Sequence, residues 1–434
     1  MRNLNSDIAI VGGGVIGASC AFALQQSGLS VHLLEREAPG SGASSGNAGH
    51  LASEQVLPLA SSDMLLQLPR MIADPLGPLR IDWRYLPQIT PWMLRLVANM
   101  LPAAYKRSTD ALSALNSASL GAWSDLLGSI ERTDLIKVEG SFLAYEKQQT
   151  QAALLALMDK LSPHQIPVTH INAKQLLERA PELSPNLLGA LEFSATGHVT
   201  NPLKLVEVLI GSAQQRGMVY EQADIIGGQL TDEGVELHSS NGSLRCRHVL
   251  IANGAYAKPL VKALTGVKVP LDTERGYHLM LPHEEQALPF PVTSAERRFI
   301  MTPLEGGLRL AGTVEFAGLE KEADMRRAHM LEQHAQALFG RPLDCRDATP
   351  WMGRRPSLPD SLPVIDRTGP KGQVLLAFGH QHLGLTQAAI TAQLILQLYR
   401  HETASIDLKP YQLARFGSSA PLHLPTESIL SNQG

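Results

Sequence analysis

The chain has 434 residues, of which 44% are hydrophobic and 18% charged, with a formal net charge of -4 at pH 7. That length exceeds a usual single core and predicts two domains, while the slightly acidic balance excludes the basic stripe that a nucleic-acid partner would require. Cys20, Cys246 and Cys345 match no metal or redox spacing and the histidines form no HExxH pattern, so no metal site is expected.

Residues 1–6 are too short and too polar for a signal peptide, and no uncharged apolar run reaches bilayer length, so a cytoplasmic location is expected. The run Asp7-Ile8-Ala9-Ile10-Val11 has the β-branched content of a buried parallel strand. It enters Gly12-Gly13-Gly14-Val15-Ile16-Gly17, after which an apolar helix over 18–26 stops at Gly28 and a second strand, 31–35, ends in Glu35. Strand, glycine turn, helix and a distant acid are the parts of an adenine-dinucleotide site. The glycines allow the backbone to approach a pyrophosphate at a helix N-terminus, and Glu35 receives the ribose hydroxyls. A doubly wound domain whose glycines only pack helix on strand is the alternative.

Residues 38–49 form a small-residue loop suited to backbone contact with a ligand. Between 64 and 105, aromatic and aliphatic residues alternate with Arg70, Arg80, Arg84 and Arg95. That mixture suits either peripheral contact with the inner face of a membrane or helices over a substrate cavity with snorkelling arginines. Helical spacing runs over 108–132, and 136–145 reads as strand, bend and strand. Helices are predicted over 148–161 and 173–180, and a strand over 190–193. Residues 197–202 open a further helix, with Pro202 at its start, that runs to Gln215. Strands follow at 218–220, 235–238 and 248–252, the last leading into Asn253-Gly254-Ala255. From 276 to 312 the pattern alternates as in an antiparallel sheet. Strand 374–378, the turn Gly379 to Thr386 and an apolar helix to about Tyr399 complete the pattern. An insertion therefore separates parts of one nucleotide domain.

Four blocks of this chain resemble the flavin-dependent amino acid oxidoreductases of the D-amino acid oxidase family, especially the bacterial D-amino acid dehydrogenases. They are the opening turn with Glu35-Arg36, the loop Gly42-Ala43-Ser44-Ser45-Gly46-Asn47-Ala48-Gly49, the triplet Arg275-Gly276-Tyr277, and Gly353-Arg354-Arg355-Pro356 followed by Gly379-His380 through Gly384. The resemblance implies an α/β protein, α+β overall, with a Rossmann-like FAD-binding domain (1–85, 200–267 and 346–434) and an inserted antiparallel-sheet substrate domain (86–199 and 268–345). It implies FAD rather than NAD, held by Gly12, Gly14, Val15, Ile16, Gly17, Glu35 and Arg36 at the ADP end. Ser44, Ser45, Asn47, Ala48, Gly49, Ala252, Asn253, Gly254, Gly353, Gly379, His380, Leu383, Gly384 and Thr386 complete the implied cofactor site. In sarcosine oxidase-type relatives a cysteine attaches the flavin covalently; its counterpart here is Gly353, so the FAD is expected to be non-covalent.

Oxidation of an amino acid to its imine needs an aimed α-C–H, a neutral amine and a clamp on the carboxylate. Arg355 in its Gly-x-Arg-Pro setting is the expected clamp, with Arg354 its rival, because a guanidinium binds a carboxylate bidentately. Tyr277 is expected to donate to the same carboxylate, and His50 to face flavin or substrate. His380 or His382 would stabilise charge on reduced flavin, and Asp360 and Glu315 are further orienting candidates. The ammonium proton can pass to a histidine or to solvent. The substrate is expected to be a D-amino acid, and 273–278 with 357–365 resemble D-hydroxyproline or D-proline dehydrogenases. Electrons would pass to a quinone or another carrier. An oxidase of the glycine or sarcosine type using O2, and a flavoprotein subunit of a hetero-oligomer, are the alternative readings; self-association is also left open.

Overall fold

A computed structural model of the chain describes residues 2–58, 77 and 79–417. The elements that position the site begin with β1 (Ile8–Val11), α1 (Val15–Gln26), β2 (Val31–Glu35) and β3 (His50–Leu51). Next come α2 (Leu86–Asn99), α3 (Pro102–Gly128), β4 (Ser141–Tyr145), β5 (Gly197–Val199), α4 (Pro202–Gln215), β6 (Val219–Gln222) and β7 (His248–Ile251). The substrate-facing elements are β8 (Asp272–Leu281), β9 (Val292–Ser294), β10 (Phe299–Leu304), β11 (Gly307–Phe316), α5 (Arg326–Gln336) and β12 (Thr349–Ser357). The chain returns through β13 (Val364–Thr368), β14 (Val374–Phe378) and α6 (Gly384–Arg400).

A six-stranded sheet runs in the order β6-β2-β1-β7-β14-β13, parallel except at the β13–β14 edge. Strand β1 is buried along its whole length because both faces of the sheet are covered. Ile8 and Ile10 join one core with α1, α4 and α6, whereas Ala9 and Val11 join a second core with Val249, Leu260 and Leu376. The period-2 alternation of a strand thus feeds two layers at once. This arrangement agrees with the Rossmann-like expectation.

The second large sheet contains nine strands, among them β12-β8-β11-β10-β9-β4 in that order. Its far face carries α5: Leu279, Leu281, Leu308 and Leu310 pack with Leu331 and Ala335. Its near face looks toward the ends of β1, β7 and β14, and the cavity lies between the two sheets.

Several local expectations change. Residues 197–199 form strand β5 before Pro202 opens the helix; β5 pairs with β3, with His198 opposite His50. Strand β12 begins after the expected boundary at 346, yet it pairs with β8 along Asp272–Met280 and belongs to the nine-stranded sheet, which is antiparallel around β8 but pairs β9 with β4 in parallel. Helix α3, assigned by sequence to the substrate part, buries Leu112, Leu115 and Trp123 in the core shared with α1 and α6. Its apolar stripe needs a partner, and α6 supplies one: the Trp123 indole N–H donates to the Leu385 carbonyl at 2.9 Å. Residues 225–231 and 242–246 are strands that the sequence pattern did not single out. Of the stretch proposed for membrane contact, 64–76 and 78 lie outside the described residues.

Candidate active site

One cavity of about 810 Å³ runs from Glu35 and Arg36 at one end to Arg355 and His382 at the other. At its nucleotide end, backbone meets backbone. A Cβ on Gly17 would stand 1.8 Å from the Gly12 carbonyl oxygen, and one on Gly12, where φ is +110°, would stand 2.6 Å from the oxygen of Ala252. Glycine is therefore required at both positions for β1, α1 and the segment after β7 to converge.

No side chain caps α1 from its own N-cap position, Gly14. Instead the Val15 N–H donates to Ser44 Oγ at 2.9 Å, which ties the small-residue loop to the helix start. Glu35 Oε2 accepts the Gly13 N–H at 2.6 Å, so the carboxylate is held at the turn. The Arg36 guanidinium lies 3.7 Å over the Tyr256 ring, and Asn253 Oδ1 is buried without a hydrogen-bond partner. Helix start, aimed carboxylate and orphaned amide oxygen make a polar cradle that fits the ADP half of FAD.

Not every residue expected at the cofactor reaches the cavity. Gly12, Gly14, Val15, Ile16, Glu35, Arg36, Ser44, Asn47, Ala48, Ala252, Asn253, Gly254, Gly353, Gly379, His380 and Gly384 line it, whereas Gly17, Ser45, Gly49, Leu383 and Thr386 do not. These five serve the walls. Ser45 Oγ donates to the Ser41 and Gly42 carbonyls, the Gly49 N–H donates to Asn47 Oδ1, and Thr386 Oγ1 accepts the Ala52 N–H at 2.9 Å. Helix α6 starts at Gly384 without a side-chain cap. Its first N–H groups stand at the cavity wall, a setting that favours negative charge.

Strand alternation decides which side chains of the antiparallel sheet face the cavity. In β8, Glu274, Gly276 and His278 share the near face, and across the ladder they pair with Arg355, Gly353 and Trp351 of β12. Arg355 lies over Gly276, where a Cβ would come within 2.2 Å of its Nη2. Its guanidinium makes no hydrogen bond or ion pair to any described residue. Burial lowers its pKa, and the Glu274 carboxylate partly offsets this. Glu274 is itself held by Ser357 Oγ at 2.5 Å, with its pKa raised by burial. Arg354 points elsewhere, its Nε donating to the Leu319 carbonyl at 2.7 Å. The two neighbouring arginines are thus distinguished by the pleat.

Tyr277 borders the cavity, but its hydroxyl is engaged on the other side of the strand. Its hydroxyl donates to Glu315 Oε2 at 2.6 Å and accepts the Asp324 N–H at 3.3 Å, and burial with Glu315 pushes its pKa up to about 12. An odd offset from Gly276 puts it there. Glu315 in turn faces Arg275 at 3.4 Å and Lys321 at 3.3 Å, and Asp360 is paired with Arg415 at 2.7 Å, so neither acid is free to orient a ligand.

The histidines also separate. His380 turns its imidazole into α6, with Nε2 at 3.0 Å from Thr391 Oγ1, and burial depresses its pKa to about 3. The residue borders the cavity while its Nε2 is committed to α6. His50 lies in the cavity wall with Nδ1 at 3.1 Å from the Gly197 carbonyl and Nε2 at 3.0 Å from Glu54 Oε1. Burial acts to lower its pKa, but the Glu54 carboxylate and the carbonyl outweigh it and the pKa is raised. Both ring nitrogens face acceptors, which selects the imidazolium.

Two further residues, His278 and Arg309, have no site role in the sequence reading. His278 Nδ1 lies 2.9 Å from the Gly46 carbonyl and its ring stacks on Trp351 at 4.9 Å between centroids. Arg309 Nη1 donates to the Ser45 and Asn47 carbonyls at 3.0 and 2.5 Å, and burial lowers its pKa to about 10. Together they pin the loop over 45–47 from the opposite sheet. The alternation 274, 276, 278 was a signal for His278; nothing local marked Arg309.

The chain matches the family described as FAD dependent oxidoreductase across residues 7–398. It is 31% identical over 418 residues to a D-amino-acid oxidase of Bradyrhizobium diazoefficiens, covering 94% of this chain and 98% of that protein. A D-amino acid dehydrogenase 2 of Ralstonia nicotianae is 28% identical over 94% of this chain and 100% of its own length. Among solved structures, glycine oxidase from Geobacillus kaustophilus shares the fold with a TM-score of 0.70 at 22% identity, covering 96% of this chain and 99% of that one.

Proposed function

The chain belongs to the family of FAD-dependent oxidoreductases, and we propose that it oxidises a D-amino acid to the imine and passes the electrons to a carrier at a membrane. The observation that carries the substrate class is Arg355: a cation without a hydrogen-bonding partner, on the cavity face, in the same cavity as the dinucleotide cradle. A substrate carboxylate supplies the bidentate acceptor that this guanidinium lacks. The names of the relatives at 31% and 28% identity support an amino acid, and specifically the D series.

Bound FAD supplies the acceptor for the hydride that leaves the substrate α-carbon. The residues of this chain supply place and field. Gly12, Gly14, Val15 and Glu35 hold the ADP half, and Ala48, Gly353, Gly379 and the start of α6 border the reactive half. Arg355 fixes the carboxylate, which restricts the substrate to rotations that present one α-substituent toward the cofactor. Trp351, stacked on His278 and packed against Gly46 and Gly353, forms part of the cavity wall. The His50–Glu54 pair adds a fixed, mutually compensated ion pair to the wall.

A carrier in a membrane is supported by the outer face of α2 and the residues that flank it, Trp83 and Leu101. Trp83, Leu86, Leu94, Val97 and Leu101 are exposed, the first to 70%, and α2 contains Arg95 and no acid. No described helix is long and apolar enough to cross a membrane, so this surface would lie on the bilayer. The sequence wording at 273–278 supports a cyclic substrate such as D-hydroxyproline or D-proline.

Anaerobic mixing of the holoenzyme with D- and L-amino acids, both proline series, hydroxyproline isomers and sarcosine tests the proposal through loss of flavin absorbance. Bleaching by D-amino acids is expected, with little peroxide under air. Bleaching by L-amino acids alone overturns the stereochemistry. One peroxide per turnover replaces the carrier with O2, and turnover that requires a second chain makes the protein a subunit.

A further inference from the structure

Removal of a hydride from an amino acid α-carbon requires a neutral amine, yet amino acids reach the cavity as ammonium ions. Solvent or a group near the clamp must therefore take a proton, and the groups of the cavity differ in their capacity to do so. Arg355 cannot, and His50 already has acceptors on both ring nitrogens. Glu274 is held by Ser357 and lies in the field of Arg355, and His278 is bonded to Gly46 and stacked on Trp351.

His382 differs from all of these. It lines the cavity, half-buried, between His380 and Gly384. Its Nε2 lies 2.7 Å from Gln55 Oε1, and an amide oxygen can only accept, so Nε2 carries the proton and Nδ1 keeps its lone pair. No described residue hydrogen-bonds Nδ1. His278 likewise keeps a lone pair, at Nε2, but its ring is stacked on Trp351 and both Arg309 and Arg355 oppose its charging, whereas His382 has no stacked ring among the described residues and lies within the field of Arg355.

We propose that His382 Nδ1 is the general base that takes the ammonium proton of the bound substrate. The N–H bond of the ammonium breaks, its electron pair stays on the amine nitrogen, and a new N–H bond forms at Nδ1. The α-C–H bond is untouched in this step. The charges acting on His382 are Arg355 from β12 and His50 from β3, with Glu54 compensating His50. Burial first, and those two cations next, hold its pKa down near 3 in the free cavity. A substrate carboxylate on Arg355 cancels one of the cations, so the base strengthens when a substrate occupies the clamp. This inference rests on the amine-oxidation reading above.

The test compares the holoenzyme with its His382→Gln variant in anaerobic flavin reduction between pH 6 and 9, alongside binding of isobutyrate, which has a carboxylate and no amine. The variant is expected to reduce its flavin on the order of 100-fold more slowly near pH 7. Its rate should then climb about tenfold per pH unit as solvent supplies neutral amine, while isobutyrate affinity stays within about twofold. A variant with the wild-type rate and pH profile overturns the base. So does a pH-independent loss matched by lost isobutyrate affinity, since that marks a positional role. A wild-type flavin that no amino acid bleaches, with isobutyrate still bound, overturns the amine-oxidation reading and the base with it.

Discussion

At the scale of single residues, the pleat of β8 and β12 separates neighbours that the sequence could not rank. Arg355 and Arg354 are adjacent, but only the first lies over Gly276 on the cavity face. Replacing Arg355 by Lys removes bidentate geometry and keeps the charge, and isobutyrate affinity is expected to fall about 10- to 100-fold in a titration followed by flavin absorbance. An unchanged affinity would remove Arg355 from the clamp. Tyr277→Phe should behave oppositely. Its hydroxyl serves Glu315, so ligand affinity should hold while urea denaturation shows a loss of about 1–3 kcal/mol from a buried carboxylate deprived of a donor. Both residues were legible as candidates from the resemblance, but their faces were not, because a side chain's side of a sheet depends on register.

At the scale of elements, the glycine turn was read correctly because its requirement is local: a strand must reverse into a helix within a few residues. The crowding around Gly17 gives that requirement a size. Gly17→Ala puts a Cβ inside the van der Waals radius of the Gly12 oxygen, and the purified variant is expected to lack flavin absorbance. Helix α2 was less legible, since an amphipathic face reads alike whether protein or lipid covers it. In the structure Ile89 and Trp92 are buried and pack with Phe316, whereas Trp83, Leu94 and Leu101 are each more than 60% exposed. Wild-type protein is expected to sediment with vesicles of anionic phospholipid, and a Trp83→Ser, Leu94→Ser double variant to stay in the supernatant. Equal sedimentation of the two would remove α2 as the contact.

At the scale of the whole molecule, the buried histidines set the response to acid. His198, His278, His380 and His382 have pKa values held at about 4, 3, 3 and 3, chiefly by burial, against an ordinary value near 6.5. Between about pH 6.5 and those values the unfolded chain binds protons that the folded chain does not, so stability falls as pH falls through that window. His50 acts in reverse: its raised pKa stabilises the fold below about pH 6.5, and this is lost as pH rises through the folded value. The four outnumber the one. Urea midpoints should therefore drop between pH 7 and 5, and His380→Gln should lessen the drop by up to about 1.4 kcal/mol per pH unit. A flat profile would show these imidazoles to be accessible to protons. By itself the sequence determined the cofactor cradle, the nucleotide fold and the family, because turn chemistry, strand runs and motif order are properties of contiguous residues. Tertiary structure decided the rest: that β12 joins the nine-stranded sheet, that the Tyr277 hydroxyl is bonded to Glu315 and His380 Nε2 to Thr391, and that Arg309 clasps the 45–47 loop. All but the His380 bond depend on pairing between segments far apart in the chain, and pairing register leaves little trace in either segment alone.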